Sequence, residues 1–443
     1  MSAFDPERLR AILAECDPLV VQGRIVRAAG LVMEAALPGV AMGAQVDIQA
    51  AGGKLVAAEV VGFTGPTALL MPFGEVAGIG EGSPVIPRVG SSDLAVGPAL
   101  LGRVVDASMR PVDGKPAPLL PHRRPLQATP PSAMTRRRIA RPLPLGIRAL
   151  DAFLTLGEGQ RTGILAGAGV GKSVLLGMLA RSAEVDVVVV GLVGERGREV
   201  REFVERDLGA EGLARSVVVV ATSDEPPLIR IRAAMAATAV AEYFRAKGQR
   251  VLLLMDSLTR VAMAQREVGL AAGEPPTSKG YPPSVFALMP RLLERAGNDA
   301  GEGSITAIYT VLAEGDDLTD PVVDTAKSIL DGHVVLSRKL AGAGHFPAVD
   351  VLASVSRVMT EVVERRHLEV ASAARQLLAA HREAADLIEV GVYAAGSNPR
   401  VDKAIRCMPA LDGFLRQVPE ERTPLEDGVA KLASILAGEV RNG

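Results

Sequence analysis

The chain has 443 residues, with 49 Lys and Arg against 51 Asp and Glu and a net charge of −2, a balance that argues against a protein built mainly to coat nucleic acid. Apolar residues make up 48% and charged residues 23%, which is globular rather than disordered, and the length suggests about three domains. Cys16 and Cys407 alone make neither a disulfide framework nor a cysteine zinc site; no apolar run reaches a membrane span, and the opening MSAFDPERLR is not a secretory signal.

Residues 1–17 carry a short amphipathic helix over 5–15, with Leu9, Ile12 and Leu13 on one side. The stretch 18–90 breaks into β-rich pieces at 19–26, 31–37, 45–49, 55–61, 68–71 and 85–87. Pro38-Gly39, Gly52-Gly53, Gly65-Pro66 and Gly82-Ser83-Pro84 punctuate them, so a small β-barrel is expected. Residues 91–145 read as a connector into the core, and 108–145 within it are rich in Pro and Arg and read as extended. From 146 to 350, buried strands at 187–193, 217–221 and 251–255 alternate with helices. One of these covers 200–208 with Gly209 as its stop, and another covers 228–244. That alternation predicts a doubly wound α/β core with a parallel sheet. Residues 351–443 read as a helical domain. Its last helix opens at Thr423-Pro424-Leu425-Glu426, the pattern of an N-cap, a first-turn proline and a capping box.

The strongest chemical signal is Ala166-Gly167-Ala168-Gly169-Val170-Gly171-Lys172-Ser173, between an apolar strand and a helical run opening at Val174. Glycines at 167, 169 and 171 let main-chain N–H groups face phosphate oxygens, and the helix N-terminus adds partial positive charge. Lys172 suits the β- and γ-phosphates, and the Ser173 hydroxyl suits Mg²⁺. Ala166 stands where the strict pattern has Gly, at a strand end where a methyl is tolerable. A second metal anchor is expected at Asp256, which ends the apolar strand 251–255. Glu195 is the first charge after strand 187–193, at the sheet edge that faces the phosphates, and is the candidate for orienting water. Arg196 reads either as a phosphate ligand or as a partner of Glu195. Glu199 reads as a first-turn acid, and Arg260 as a residue facing the γ-phosphate or an exposed helix charge.

These stretches, with MDSLTRVAMAQREVGLAAGEPP (255–276), KGYPPSVFALMPRLLERAG (279–297), SILDGHVVLSRKL (328–340) and FPAVDVLASVSRVM (346–359), resemble the α/β-type rotary ATPases over nearly the whole chain. The resemblance is strongest to the type III protein-export ATPases of flagella and virulence secretion. It implies a RecA-like core between an N-terminal β-barrel and a C-terminal helical domain, using ATP and Mg²⁺ in a homo-hexameric ring with sites at subunit interfaces. Glu195 matches the family's catalytic glutamate, and Arg357 the arginine finger that enters the neighbour's site. Phe346 falls where related subunits set an aromatic ring against adenine. Tyr393 is a second candidate for that pocket, with core packing as the alternative for both.

The loop with Asp316, Asp317 and Asp320 resembles one that touches a central stalk; a solvated acidic loop is the other reading. The family also implies a stator or regulator near the N-terminus, an export gate, chaperone–cargo complexes, and a cytoplasmic location peripheral at the inner face of the membrane. Arginines 136–138 read as a lipid patch or, alternatively, as solvated or ion-paired side chains. GVGKSVLLGM and the Lys279-Gly280-Tyr281 junction look flagellar, whereas GEGQR (157–161) and VVVVATSD (217–224) look like the virulence branch. The other functions weighed are a rotary synthase catalytic subunit, a non-catalytic nucleotide-binding subunit and a hexameric RNA translocase. With 3% aromatics and no tryptophan, the last has little for base stacking.

Overall fold

A computed structural model describes residues 22–88, 93–313, 317 and 319–438. The expected helix over 5–15 lies outside them. The described residues form two compact units, one of residues 22–88 with 267–274, the other of 93–266 with 275–438.

The first unit is a closed six-stranded barrel of β1 (Gly23–Ala29), β2 (Val32–Ala36), β3 (Gln45–Gln49), β4 (Leu55–Thr64), β5 (Thr67–Pro72) and β6 (Pro84–Pro87), ordered β1-β2-β5-β4-β3-β6. Alternation drives it: Val46 and Ile48 of β3, and Val56, Ala58 and Val60 of β4, point inward. Their partners at 45, 47 and 49 and at 57 and 59 are half-exposed.

The second unit holds the expected parallel sheet, with Val355–Ser356 added antiparallel at one edge and Gly297–Asn298 antiparallel beside residues 304–305. Its strands are β7 (Arg103–Asp106), β8 (Arg161–Ala166), β9 (Val187–Glu195), β10 (Ser216–Thr222), β11 (Arg250–Asp256), β12 (Ser304–Leu312), β13 (Gly332–Leu336) and β14 (Val355–Ser356). They run in the order β14-β13-β8-β12-β11-β9-β10-β7. The apolar strands are buried on both faces, so they lack alternation. Val187, Val189 and Val193 of β9 pack into the alanine-rich helix Pro227–Arg245, and Val188, Val190 and Leu192 into the opposite core. Gly191 is what lets that helix come close: an added Cβ would lie 2.8 Å from Met255 Sδ and 3.2 Å from Ala237 Cβ.

Several segments depart from expectation. Residues 103–106, within the expected connector and just before its Pro/Arg-rich part, form the edge strand β7, paired in parallel with Val217–Val220 of β10. The helix expected over 200–208 is α-helical at Gly197–Glu202 and widens to a π-turn at Phe203–Leu208, before Gly209 at φ +67°. Thr423 does not cap the helix Leu425–Ala437; its hydroxyl accepts from Arg148 Nη1 at 3.1 Å instead. Arg136 and Arg137 are not a free lipid patch, because main-chain carbonyls hold their guanidinium groups. Arg136 Nη1 donates to Ala296 O at 2.9 Å, and Arg137 Nη2 to Glu302 O at 2.7 Å.

Long helices at Arg365–Glu389, Pro399–Leu415 and Leu425–Ala437 make the C-terminal part. Among the described residues no helix is long and apolar enough to cross a membrane.

Candidate active site

Strand β8 delivers the chain to the glycine-rich loop, and the helix Lys172–Ser182 takes it away. Ala166 is extended and buried as the last β8 residue, paired with Leu312 and Leu336, so no glycine is needed there. Gly169 and Gly171 adopt φ +78° and +85°, the left-handed turn that an L side chain disfavours. Ala168 and Gly169 are exposed at the loop tip, while Val170 is buried and anchors it. Loop amides from Gly167 to Val174 and the helix N-terminus therefore offer donors to an anion at one open face.

Parallel strand order brings the other groups to the same edge. β12 lies between β8 and β11, and β9 follows β11, so Asp256 and Glu195 emerge at the carboxyl ends beside the loop. Lys172 Nζ sits 2.5 Å from Asp256 Oδ1 and 3.5 Å from Glu195 Oε1. Burial opposes the Lys172 charge, yet Asp256 and Glu195 more than offset it and hold the ammonium above its ordinary pKa. Burial raises the Glu195 carboxyl above its usual range and Glu199 adds to this, against the pull of Lys172 and Arg260.

Thr310 Oγ1 donates to Asp256 Oδ1 at 2.6 Å and fixes that carboxylate. Sequence reasoning overlooked Thr310; the signal was a hydroxyl inside the otherwise apolar, buried end of β12. The Arg260 stem packs on Gly194, whose added Cβ would be 2.8 Å from Arg260 Cβ, and its buried Nε has no hydrogen-bond partner. Such an orphaned donor beside Glu195 fits an anionic ligand.

Phe346 is also brought in. Its ring lies 3.3 Å from where a Cβ on Gly171 would stand, with the other side of the residue exposed. Three candidates are elsewhere. Arg196 is exposed and pairs with Glu199 at 3.3 Å, contacting neither Glu195 nor the loop. The Tyr393 hydroxyl is shared between Asn398 O and Asp402 Oδ1, both at 3.1 Å, which ties down the turn before the helix Pro399–Leu415. Arg357 is exposed at the amino end of the sheet, one residue past the Gly332–Ser356 pairing, whereas the loop follows the carboxyl end of β8. At ~3.3 Å per residue the sheet separates Arg357 from its own loop by well over 10 Å.

In the acidic loop, Asp317 Oδ2 accepts from Lys279 Nζ at 2.8 Å, and Lys279 and Thr319 hold its carboxyl well below the usual range. Asp320 caps the helix Pro321–Ile329 through Val322 N and lies 3.6 Å from Lys279. Asp316 is outside the described residues.

The donors suit magnesium. Ser173 and Asp256 offer one hydroxyl and one carboxylate, hard oxygens of the kind that hold Mg²⁺ together with phosphates. Among the described residues no three His, Cys, Asp or Glu side chains stand together as a metal cage.

Comparison with known proteins agrees over most of the chain. The model described as ATP synthase alpha/beta family, nucleotide-binding domain, matches residues 146–356, and that family's beta-barrel domain matches 25–88. The model of the T3SS EscN ATPase C-terminal domain matches 363–434. The flagellum-specific ATP synthase of Pseudomonas aeruginosa is 52% identical over 423 residues, 95% of this chain and 94% of that protein. The type 3 secretion system ATPase of Xanthomonas euvesicatoria is 51% identical over 415 residues, 93% of each. The structure of the assembled ATPase EscN with its central stalk EscO, from enteropathogenic E. coli, matches with a TM-score of 0.86 at 44% identity, over 94% of this chain and 100% of that one.

Proposed function

This chain belongs to the ATP synthase alpha/beta family, in its branch of type III export ATPases, and we propose that it hydrolyses ATP to energise protein export through a flagellar type III apparatus. The observation that carries the chemistry is the meeting of Lys172, Asp256 and Glu195 beside the glycine loop. Loop amides and Lys172 bind the β- and γ-phosphates, and Phe346 stacks on the base. Glu195 orients a water and takes its proton as oxygen bonds to the γ-phosphorus and the bond to ADP breaks. Burial raises its carboxyl above the usual range, which strengthens it as a proton acceptor once ionised. Bound through Ser173 and Asp256, Mg²⁺ supplies charge neutralisation at the phosphates.

Arg357 faces away from its own loop, which supports service in trans: in a homo-hexameric ring it enters the neighbour's site and stabilises γ-phosphoryl charge. Arg196, exposed on Glu199, and Tyr393, bonded in its own turn, have lesser claims on the site. A stalk-like partner in the ring pore, as named for EscN, would meet the loop of Asp317 and Asp320, where its charges compete for Lys279. The chain would work in the cytoplasm at the inner face of the membrane.

The flagellar choice rests on GVGKSVLLGM and Lys279-Gly280-Tyr281. Deleting the gene tests it: loss of swimming is expected, and a motile mutant that fails to secrete effectors would move the chain to the virulence branch. Glu195→Gln tests the chemistry, with ATP binding retained and turnover lost.

A further inference from the structure

The residues that hold Arg357 in place converge on one buried side chain. Gln160 is fully buried, immediately before β8. Its Oε1 accepts from Gly157 N at 2.9 Å. Its Nε2 donates to Ser356 Oγ at 3.2 Å and to Asp331 O at 3.3 Å. Ser356 precedes the arginine, and its own hydroxyl donates to Thr155 O at 3.0 Å. Asp331 O is also the acceptor for Arg357 N, at 3.0 Å. One amide therefore holds both the residue before Arg357 and the carbonyl to which the Arg357 nitrogen donates. Little slack exists there, since a Cβ on Gly332 would lie 2.5 Å from Val355 O.

We propose that Gln160 is a positioning residue for the arginine that this chain presents to its neighbour. The proposal rests on the in-trans reading of Arg357 given above. Gln160 touches no nucleotide; it acts by fixing the origin of a long, flexible side chain whose reach crosses a subunit boundary. It does so from the root of β8, the strand whose far end opens into the glycine loop. The side chain that holds the finger lent to one site and the phosphate cradle of the next thus lie at opposite ends of a single six-residue strand.

Gln160→Met keeps the length of the side chain and removes its donors and acceptor. Nucleotide affinity, read with a fluorescent ATP analogue, is expected within about twofold of the native chain, with turnover down at least about tenfold. Subunit mixing separates positioning from general damage. A ring of Gln160→Met and Glu195→Gln subunits, mixed dilute in equal amounts and then concentrated, contains sites with an intact Glu195 facing an intact Arg357. These are about a quarter of all sites, so about a quarter of native turnover is expected to return. Arg357→Ala mixed with Glu195→Gln is expected to recover equally. Recovery with Arg357→Ala but none with Gln160→Met would overturn the role of Gln160 alone. Failure of both mixtures would overturn the in-trans reading beneath it, and unchanged turnover in Gln160→Met by itself would also reject the proposal. Should that variant not fold, Ser356→Ala removes one of the two contacts and is held to the same outcomes.

Discussion

Glu195 and Asp256 are carboxylates that share one lysine, and their surroundings give them different work. Glu195 is pushed up chiefly by burial, so the folded chain favours its protonated form more than the unfolded chain does. Its contribution to stability is therefore full below the unfolded carboxylate pKa and is lost as pH rises through the folded value. Activity runs the other way, because the base must be ionised. The acid limb of kcat/KM is expected above ~4.3, the ordinary glutamate value, and a pH–rate profile checks it. Glu195→Gln is expected to lower kcat by about 10²–10⁴-fold with little change in nucleotide affinity, measured by steady-state turnover and equilibrium binding. Asp256→Asn keeps the bond from Thr310 but weakens the hold on the cation. A magnesium titration is expected to show a requirement raised about tenfold or more, with chelation stopping turnover in the native chain.

Buried arginines tie elements together here beside the apolar packing. Arg295 makes two hydrogen bonds to Glu242, at 2.9 and 2.8 Å, and a third to Leu126 O at 2.8 Å. Arg295→Ala strands the Glu242 carboxylate, and a loss of about 3–5 kcal/mol is expected in chemical denaturation. Gly177→Ala is expected to destabilise by about 1–3 kcal/mol in the same assay, because the new Cβ would sit 2.5 Å from Asp207 O and push the helix after the glycine loop off the π-turn. The barrel was readable in the sequence because its strands alternate and its turns carry Gly and Pro. The glycine loop was equally readable, since its spacing is itself the chemistry. Strand β7 was not: four residues just before a proline-rich stretch become a strand only beside Val217–Val220, more than a hundred residues later. Thr423 misled for a similar reason, its local capping pattern losing to Arg148 from the start of the core. Nothing local marks Phe346 or Arg357; only resemblance singled them out.

At the level of the assembled particle, Arg357 lies at the far end of the sheet from its own glycine loop, and on the proposed in-trans role of this arginine a lone subunit is an incomplete catalyst. Turnover should then depend on how much of the protein is in rings, whereas nucleotide binding through Lys172 and the loop amides should not. The most direct measurement is specific ATPase activity against protein concentration, native chain beside Arg357→Ala. The native rate per subunit is expected to climb steeply as rings form, while the variant stays low at every concentration. A native rate that is flat with dilution, or a variant that matches it, would contradict a site completed by its neighbour.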